Sequence, residues 1–584
     1  MVILAINNIY LEFKMKEKLI EIEKQVDKEI LELKIYELPF QSVYTYLLFN
    51  ANYIGDPNIS DDTVNYLMRV PHIYKLIKGK CLKDKVQTPN KVFLKLNKSH
   101  IDDINFLNSY AHFSLLMPQI YRGTLEVKSI VGRKIELDYK DDQVKMSELI
   151  DKLYTTLSLP INFKTPSYKE LVDFIKYKFD NDDLGFTGLD YGYIEKLYRE
   201  HCRIFFFVNV LEDKVLNENL GFDNSDYIKF ISSMKAYADY LISILTNIEE
   251  KFKEDISDEE KDLLTELQIN TSAKCMDYEA LKVLVKVSEL DEVKFFNILS
   301  YFIDVYSNST GREIEVNSFV GDGYQPPFIF FDDHVIFSPH SLRYFFSFNN
   351  VLFSINKTNQ KLFNNKLSSG LEPVLLDQME YLFKSFEGLE VRKEVLYDGG
   401  EVDLIVLSEK EKVCLAFQVK TTITPSNSRM VARVQDRVLE AKKQIDNFEE
   451  IDMSQKIGLI NKAFGVDMQE IKIINLILMR SSAGAELGWE INKSCKILNY
   501  SFLASILCKK LTNKELAFKN FEDEISLAQK ELIDDSNWSV NYEEIEIGGY
   551  KISFPDISFD DGKVVPKGIK PFKCFKEMES AKFQ

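Results

Sequence analysis

The chain is poor in histidine and lacks any paired-cysteine motif. Its 584 residues include six His and seven Cys. No two His stand at HxH or HxxxH spacing and no CxxC occurs, so a His-rich metal site and a zinc ribbon have nothing to build on. Cys81, Cys202, Cys275, Cys414, Cys495, Cys508 and Cys574 are odd in number and widely spaced. That pattern argues against a disulfide scaffold and for reduced thiols in a cytosol. Long apolar runs are missing too. The longest, such as Ile204–Val210 and Ile473–Met479, fall far short of the roughly 20 residues that span a bilayer. The N-terminal MVILAINNIYLEFKMKEK starts apolar but has no basic n-region and no small-residue cleavage site. A cytoplasmic protein with no membrane contact is expected. Positive charge is also in deficit: 73 Lys and Arg against 91 Asp and Glu give a net charge of −18. This excludes a general nucleic-acid coat but leaves room for a local basic groove.

Aromatic area, by contrast, is plentiful, with 42 Phe and 29 Tyr. A single core stops growing at roughly 250–300 residues, so two to four domains are expected. The expected class is multidomain α+β: a mostly helical N-terminal region and a C-terminal α/β domain. Residues 1–150 mix helical and strand-like stretches, led by a charged helix over 9–36 with Leu19, Ile22, Val26, Ile30 and Leu33 at helical spacing. Residues 151–310 read as helical, with apolar steps of three and four over Tyr227–Phe252 and Tyr278–Val305. Residues 311–365 form a β-rich connector and linker. There GDGYQPPFIFFDDHVIFSP suggests strands joined by a turn, and 356–370 is polar. Asp332, Asp333 and His334 are adjacent in one strand and cannot all face one metal, so a turn is the preferred reading. Residues 366–505 form the domain that carries chemistry, and 506–584 a helix and tail. In that tail KGIKPFKCFK, at 567–576, interleaves Lys with Phe and is read as a docking segment.

The informative stretch begins with LEPVLLDQMEYLFKSFEG. Leu375, Met379, Leu382, Phe383 and Phe386 form an apolar helical stripe, Pro373 sits near the start, and Gly388 ends the segment. LEVRKEVL reads as a strand, YDGG as a turn, and EVDLIVL and VCLAFQVK as a hairpin. Asp403 in the first hairpin strand, and Gln418 and Lys420 in the second, break a buried pattern. Charge in a central strand is costly unless paired or metal-bound, and functional sites are where such exceptions collect. Strand alternation puts Gln418 and Lys420 on one face, and antiparallel pairing brings Asp403 to them. Glu372 is the helical carboxylate aligned with the sheet-facing stripe, whereas Asp377 points away and Glu380 lies at the margin. Glu401 shares a face with Asp403 and is a reserve ligand. A helix over Ser428–Glu450 follows, with Val431, Val434, Val438, Ala441, Ile445 and Phe448 on one face. Beside them Arg429, Arg433 and Arg437 form a ladder that is either a phosphate grip or a solvated face. Gln444 lies near the end of that helix. IKIINLILM at 471–479 reads as a further buried strand.

GGEVD at 399–403 and QVK at 418–420, in a helix–strand–strand–strand–helix–strand order, resemble the PD-(D/E)XK nuclease superfamily, and more closely its Mrr-like restriction endonuclease branch. The resemblance covers roughly 110 residues, about 370–480, and implies a restriction-endonuclease-like α/β domain with an αβββαβ core. It implies that Asp403 is the main metal carboxylate. Gln418 takes the place of the second acid, with the Val419 carbonyl nearby. Lys420 polarises the attacking water, Glu372 matches the assisting helical Glu, and Gln444 matches a polar residue found there in related nucleases. The implied activity is an endodeoxyribonuclease dependent on Mg²⁺ or Mn²⁺, since hard oxygen ligands without Cys or His favour those ions. Bacterial restriction or anti-phage defence, DNA as substrate, a homo-oligomer, a partner protein and an N-terminal recognition module follow as expectations. The rival expectation is an inactive nuclease fold kept as a nucleic-acid or protein binding scaffold, which the net acidity and Gln418 favour.

Overall fold

The computed structural model describes residues 2–53, 61–83, 96–158, 191–205, 211–251, 264–265, 268–269, 271–305, 325–331, 334–346, 349–422, 428–480, 495–513 and 517–559. The protein is mixed α/β. It gathers into two compact units, each discontinuous in sequence. One comprises Met1–Met117, Phe163–Leu367 and Ile545–Lys551, and the other Pro118–Asn162, Ser368–Glu544 and Ile552–Gln584. Among the described residues no helix is long and apolar enough to cross a membrane.

The first unit is mainly helical. Its opening helix, Val2–Glu29, buries Leu19, Ile22 and Val26, the stripe that its spacing predicts. Helix Asn224–Lys251 is apolar around most of its circumference, burying Tyr227, Phe230, Ile231, Met234 and Tyr237. A helix of that kind belongs inside a core. Phe230 stacks on Phe302 with ring centroids 5.8 Å apart, and Phe346 meets Phe302 edge-on at 5.3 Å. The apolar steps over 278–305 are not one helix. Glu289 takes a left-handed φ of 58°, and Asp291 starts a new helix by accepting from the Lys294 N–H at 2.8 Å. That helix ends at Ser300, and Ile303–Val305 is a strand. It joins a four-stranded sheet with Phe328–Phe331, His334–Phe337 and Lys274–Asp277. Asp332 and Asp333 lie outside the described residues. The polar stretch 356–370 is wound into helical turns, and the boundary between the two units falls within it, after Leu367.

In the second unit a helix α1 (Leu371–Phe383) precedes three antiparallel strands, β1 (Leu389–Tyr397), β2 (Gly400–Ser408) and β3 (Val413–Lys420). Helices α2 (Ser428–Glu449) and α3 (Met453–Phe464) then lead to β4 (Lys472–Met479). Strand β5 (Lys496–Asn499) runs directly into α4 (Tyr500–Asn513), and α5 (Phe521–Asp535) follows. The sheet order is β5–β4–β3–β2–β1, with β3, β4 and β5 parallel. The parallel step from β3 to β4 requires a crossover, which α2 and α3 supply. Every residue of β3 is buried, as expected of a strand paired on both edges and covered on both faces. Helix α1 covers one face: Leu375, Met379, Leu382 and Phe383 are fully buried, and Phe383 meets Phe417 at 5.6 Å. Each such burial contributes about 1.5–3 kcal/mol. Ile405, Leu407, Cys414 and Ala416 pack on the other face with Phe448, Ile460 and Phe464 of α2 and α3.

A separate four-stranded sheet joins the hairpins Leu125–Val131/Lys134–Tyr139 and Trp538–Ile547/Tyr550–Phe559. The second hairpin falls in the stretch read as a helix and tail. Gly548 and Gly549 both hold positive φ at its two-residue turn, a pair that signals such a turn. The segment 567–576 lies outside the described residues.

Candidate active site

The turn between β1 and β2 sets the site's register. Tyr397 pairs with Gly400, leaving Asp398 and Gly399 as a two-residue connection. Gly399 has φ 110°, a conformation that calls for glycine, and a Cβ on Gly400 would lie 2.8 Å from the Tyr397 hydroxyl, so a larger residue there would have to displace the end of that side chain. From this turn the β1–β2 ladder is regular except at one pair. Lys393 faces Leu404 and Val395 faces Val402, but the pair between them, Glu394 and Asp403, is missing. Glu394 holds a left-handed φ of 53°. The strict alternation on which Glu401 and Asp403 share a face is therefore broken here. Val402 joins the same core cluster as Ile405 and Leu407, although alternation would send it to the other face.

The β2–β3 ladder stops at Leu404 and Phe417, short of the polar residues. Beyond that pair the bonds that tie the two strands come from side chains. Asp403 Oδ2 accepts from the Val419 backbone N–H at 2.6 Å, and Gln418 Nε2 donates to the Glu401 carbonyl at 2.8 Å. Polar side chains thus replace main-chain bonds where the ladder has ended. Asp403, Gln418, Val419 and Lys420 are all buried. Gln418 Oε1 is buried without a hydrogen-bond partner, as is Gln444 Oε1 on α2. An unsatisfied buried acceptor costs about 1–3 kcal/mol.

Charge is unevenly shared. Burial pushes the Asp403 carboxyl up to about 7, against the pull of the Val419 N–H and the Lys420 ammonium, and Glu372 and Glu401 push it further. Burial also raises Glu372, at the start of α1, while Lys420 opposes the shift and Glu401, Glu394 and Glu440 reinforce it. Five carboxylates therefore act in one region around one buried lysine. The nearest acid to Lys420 is Glu440 of α2, with Nζ 3.7 Å from Oε1. Glu440 also receives Arg437 at 2.6 Å. Among the described residues no three His, Cys, Asp or Glu side chains already converge as a metal-binding group. The oxygen donors nevertheless suit a hard divalent cation: an acid whose ionisation burial opposes, an orphaned amide oxygen, and further carboxylates close enough to act on it.

The residues singled out from sequence are thus placed as follows. Glu372, Glu401, Asp403, Gln418, Val419 and Lys420 come together. Asp377 and Glu380 do not join them and bind Lys393, at 2.5 and 2.9 Å. Arg433 and Arg437 are exposed on α2, Arg437 is bound to Glu440, and the side chain of Arg429 lies outside the described residues. Two acids of the region, Glu394 and Glu440, were not anticipated. Glu394 was within reach, since counting back from the Gly-Gly turn sets it opposite Asp403. Glu440 carries no local signal, because only the packing of α2 brings it to Lys420.

No family model, curated protein or solved structure matches this chain. The functional reading therefore rests on these residues and their chemistry.

Proposed function

We propose that the second unit carries a restriction-endonuclease-like domain, an αβββαβ core of the PD-(D/E)XK type, that hydrolyses DNA phosphodiester bonds with Mg²⁺ or Mn²⁺. The observation that carries this reading is the buried Asp403–Lys420 site at the separated ends of β2 and β3, rich in carboxylates and poor in cations of its own. Asp403, the Gln418 side-chain oxygen, the Val419 carbonyl and a carboxylate from Glu372 or Glu401 would hold the ion. When bound, the ion supplies a Lewis acid for the phosphoryl oxygens and acidifies a water. Lys420 contributes a compact charge and donors that orient the attacking water and stabilise charge as it develops. The apolar packing of α1 and α2 on the two faces of the sheet holds these groups in place and excludes bulk water. A role in bacterial restriction or anti-phage defence, action as a homo-oligomer or with a partner protein, and recognition by the N-terminal region extend the same proposal.

The test is cleavage of supercoiled plasmid and of phage DNA with Mg²⁺ or Mn²⁺, wild type beside Lys420→Ala. Cutting by the wild type alone is expected. Equal cutting by both would remove Lys420 from the site. Retained DNA binding without cutting in any metal would favour the scaffold reading instead.

A further inference from the structure

The carboxyl ends of β3, β4 and β5 lie level: Met479 pairs with both Lys420 and Asn499. In open sheets this end of parallel strands is where ligands bind. One step beyond β4 stands Arg480. Its backbone N–H donates to the Lys420 carbonyl at 3.2 Å, and one guanidinium nitrogen donates to the Leu371 carbonyl at 3.2 Å. Arg480 thus touches the residue before Glu372 and the backbone of Lys420. Its Nε is buried with no acceptor, and no acidic side chain pairs with it among the described residues. The contrast with Lys510 is direct, since that buried ammonium has Glu524 at 2.5 Å. Burial pulls Arg480 down to about 10, and among the described residues the Tyr500 phenol, at the start of α4, opposes the shift. Two residues beyond β3, the Thr422 hydroxyl is also buried without a partner. Two side chains with donors unspent therefore flank the catalytic lysine at the same strand ends.

We infer that Arg480 and Thr422 bind a backbone phosphate of the nucleic-acid strand, next to the phosphate being cut. The inference rests on the nuclease reading for the identity of its ligand. A phosphate supplies what both groups lack: negative charge for the guanidinium, whose donor fork matches phosphate oxygens, and an acceptor for the hydroxyl. Arg480 is by this account a strand-binding residue, separate from Asp403 and Lys420.

The experiment measures binding of a short duplex oligonucleotide by the full chain in Ca²⁺ at several salt concentrations. Wild type is compared with Arg480→Gln, Arg480→Lys and Thr422→Val. Arg480→Gln is expected to weaken binding about tenfold and to flatten the slope of log affinity against log salt by about 0.9, the loss of one phosphate contact. Arg480→Lys keeps the charge and should keep the slope. Thr422→Val should weaken binding severalfold with the slope unchanged. A neutral methylphosphonate at the flanking position should weaken the wild type and leave Arg480→Gln unaffected. An Arg480 that merely ties α1 to the sheet would lower the melting temperature and leave the slope and the methylphosphonate response at wild-type values, which overturns the inference. So would absence of oligonucleotide binding by the wild type. If the wild type never cuts DNA but Arg480→Gln still flattens the slope, the hydrolytic reading fails and the phosphate contact stands.

Discussion

Among the described residues each unit buries a cluster around an aspartate, Asp239 in one and Asp403 in the other, and these two are balanced in opposite ways. In the helical unit Asp239 is the acid of a group with His201, Lys235 and Arg343. His201 Nε2 lies 2.9 Å from one of its oxygens, and Arg343 Nε lies 3.4 Å from the other. Burial would raise Asp239, but the His201 hydrogen bond and the charges of Arg343 and Lys235 outweigh it, and the carboxyl sits below its ordinary value. Lys235 is held down to about 8 by burial, with Asp239 opposing. There the charge of the acid is met within the fold, by the His201, Arg343 and Lys235 side chains. Around Asp403 the excess is negative, and the principal acid is raised. The first arrangement fixes a core. The second is the condition in which an external cation has most to contribute.

The largest effect expected from this contrast is on activity. Lys420→Ala and Asp403→Ala should each reduce metal-dependent cleavage by about 100- to 1,000-fold, read as plasmid nicking, whereas Asp239→Asn should leave the cleavage rate per folded molecule unchanged. Cleavage that survives Asp403→Ala would erase the distinction between the clusters.

On stability the order reverses. Asp239→Asn removes the acid beside the buried Lys235 and the half-buried Arg343 and should cost about 3–5 kcal/mol, measured by urea unfolding at pH 7. Because its folded-state pKa is depressed, Asp239's contribution is fully present above the unfolded carboxyl value and is lost as pH falls through the folded one. Asp403→Asn should instead stabilise the metal-free protein at pH 8, by on the order of 1–3 kcal/mol. The native Asp403 holds its proton up to about 7, against 3.8 for an ordinary Asp, so the penalty for ionising it is complete above about 7 and absent near 4. The gain from Asp403→Asn should therefore hold between pH 8 and about 7 and shrink as pH is lowered from there to 5. A destabilising Asp403→Asn at pH 8 would show that the carboxylate is satisfied within the fold.

A smaller effect concerns the cation itself. Thermal stabilisation by Mn²⁺ should rise with pH, because binding must displace the Asp403 proton. Apparent affinity should change by about tenfold per pH unit below about 7 and level off above it. A flat profile between pH 5.5 and 8 would place the ion elsewhere or exclude it.

Much of the segment from α1 to β4 was legible because its signals are local. The 3.6-residue stripe of α1, the apolar runs of strands β2 and β3, the Gly-Gly turn and the Asp, Gln and Lys that interrupt those runs all lie within one stretch of chain. Glu372 was found from helical phase alone. Reading failed where a break in regularity decided the outcome. Glu289 ends a helix that the apolar spacing would continue, and the β2–β3 ladder stops before the polar residues it was expected to pair. Arg480 and Thr422 follow strand ends, where alternation no longer says which way a side chain points.

What the sequence determined by itself is the alphabet of the site: which side chains are polar within apolar strands, and that glycine is needed at the turn between β1 and β2. Only the tertiary structure decided their electrostatic state. Sequence spacing does not specify desolvation or distant charge. Asp403 is raised because α1 and the sheet remove it from water and because Glu372 and Glu401 stand near it. Asp239, as deeply buried, is lowered because two other helices bring it a histidine and an arginine.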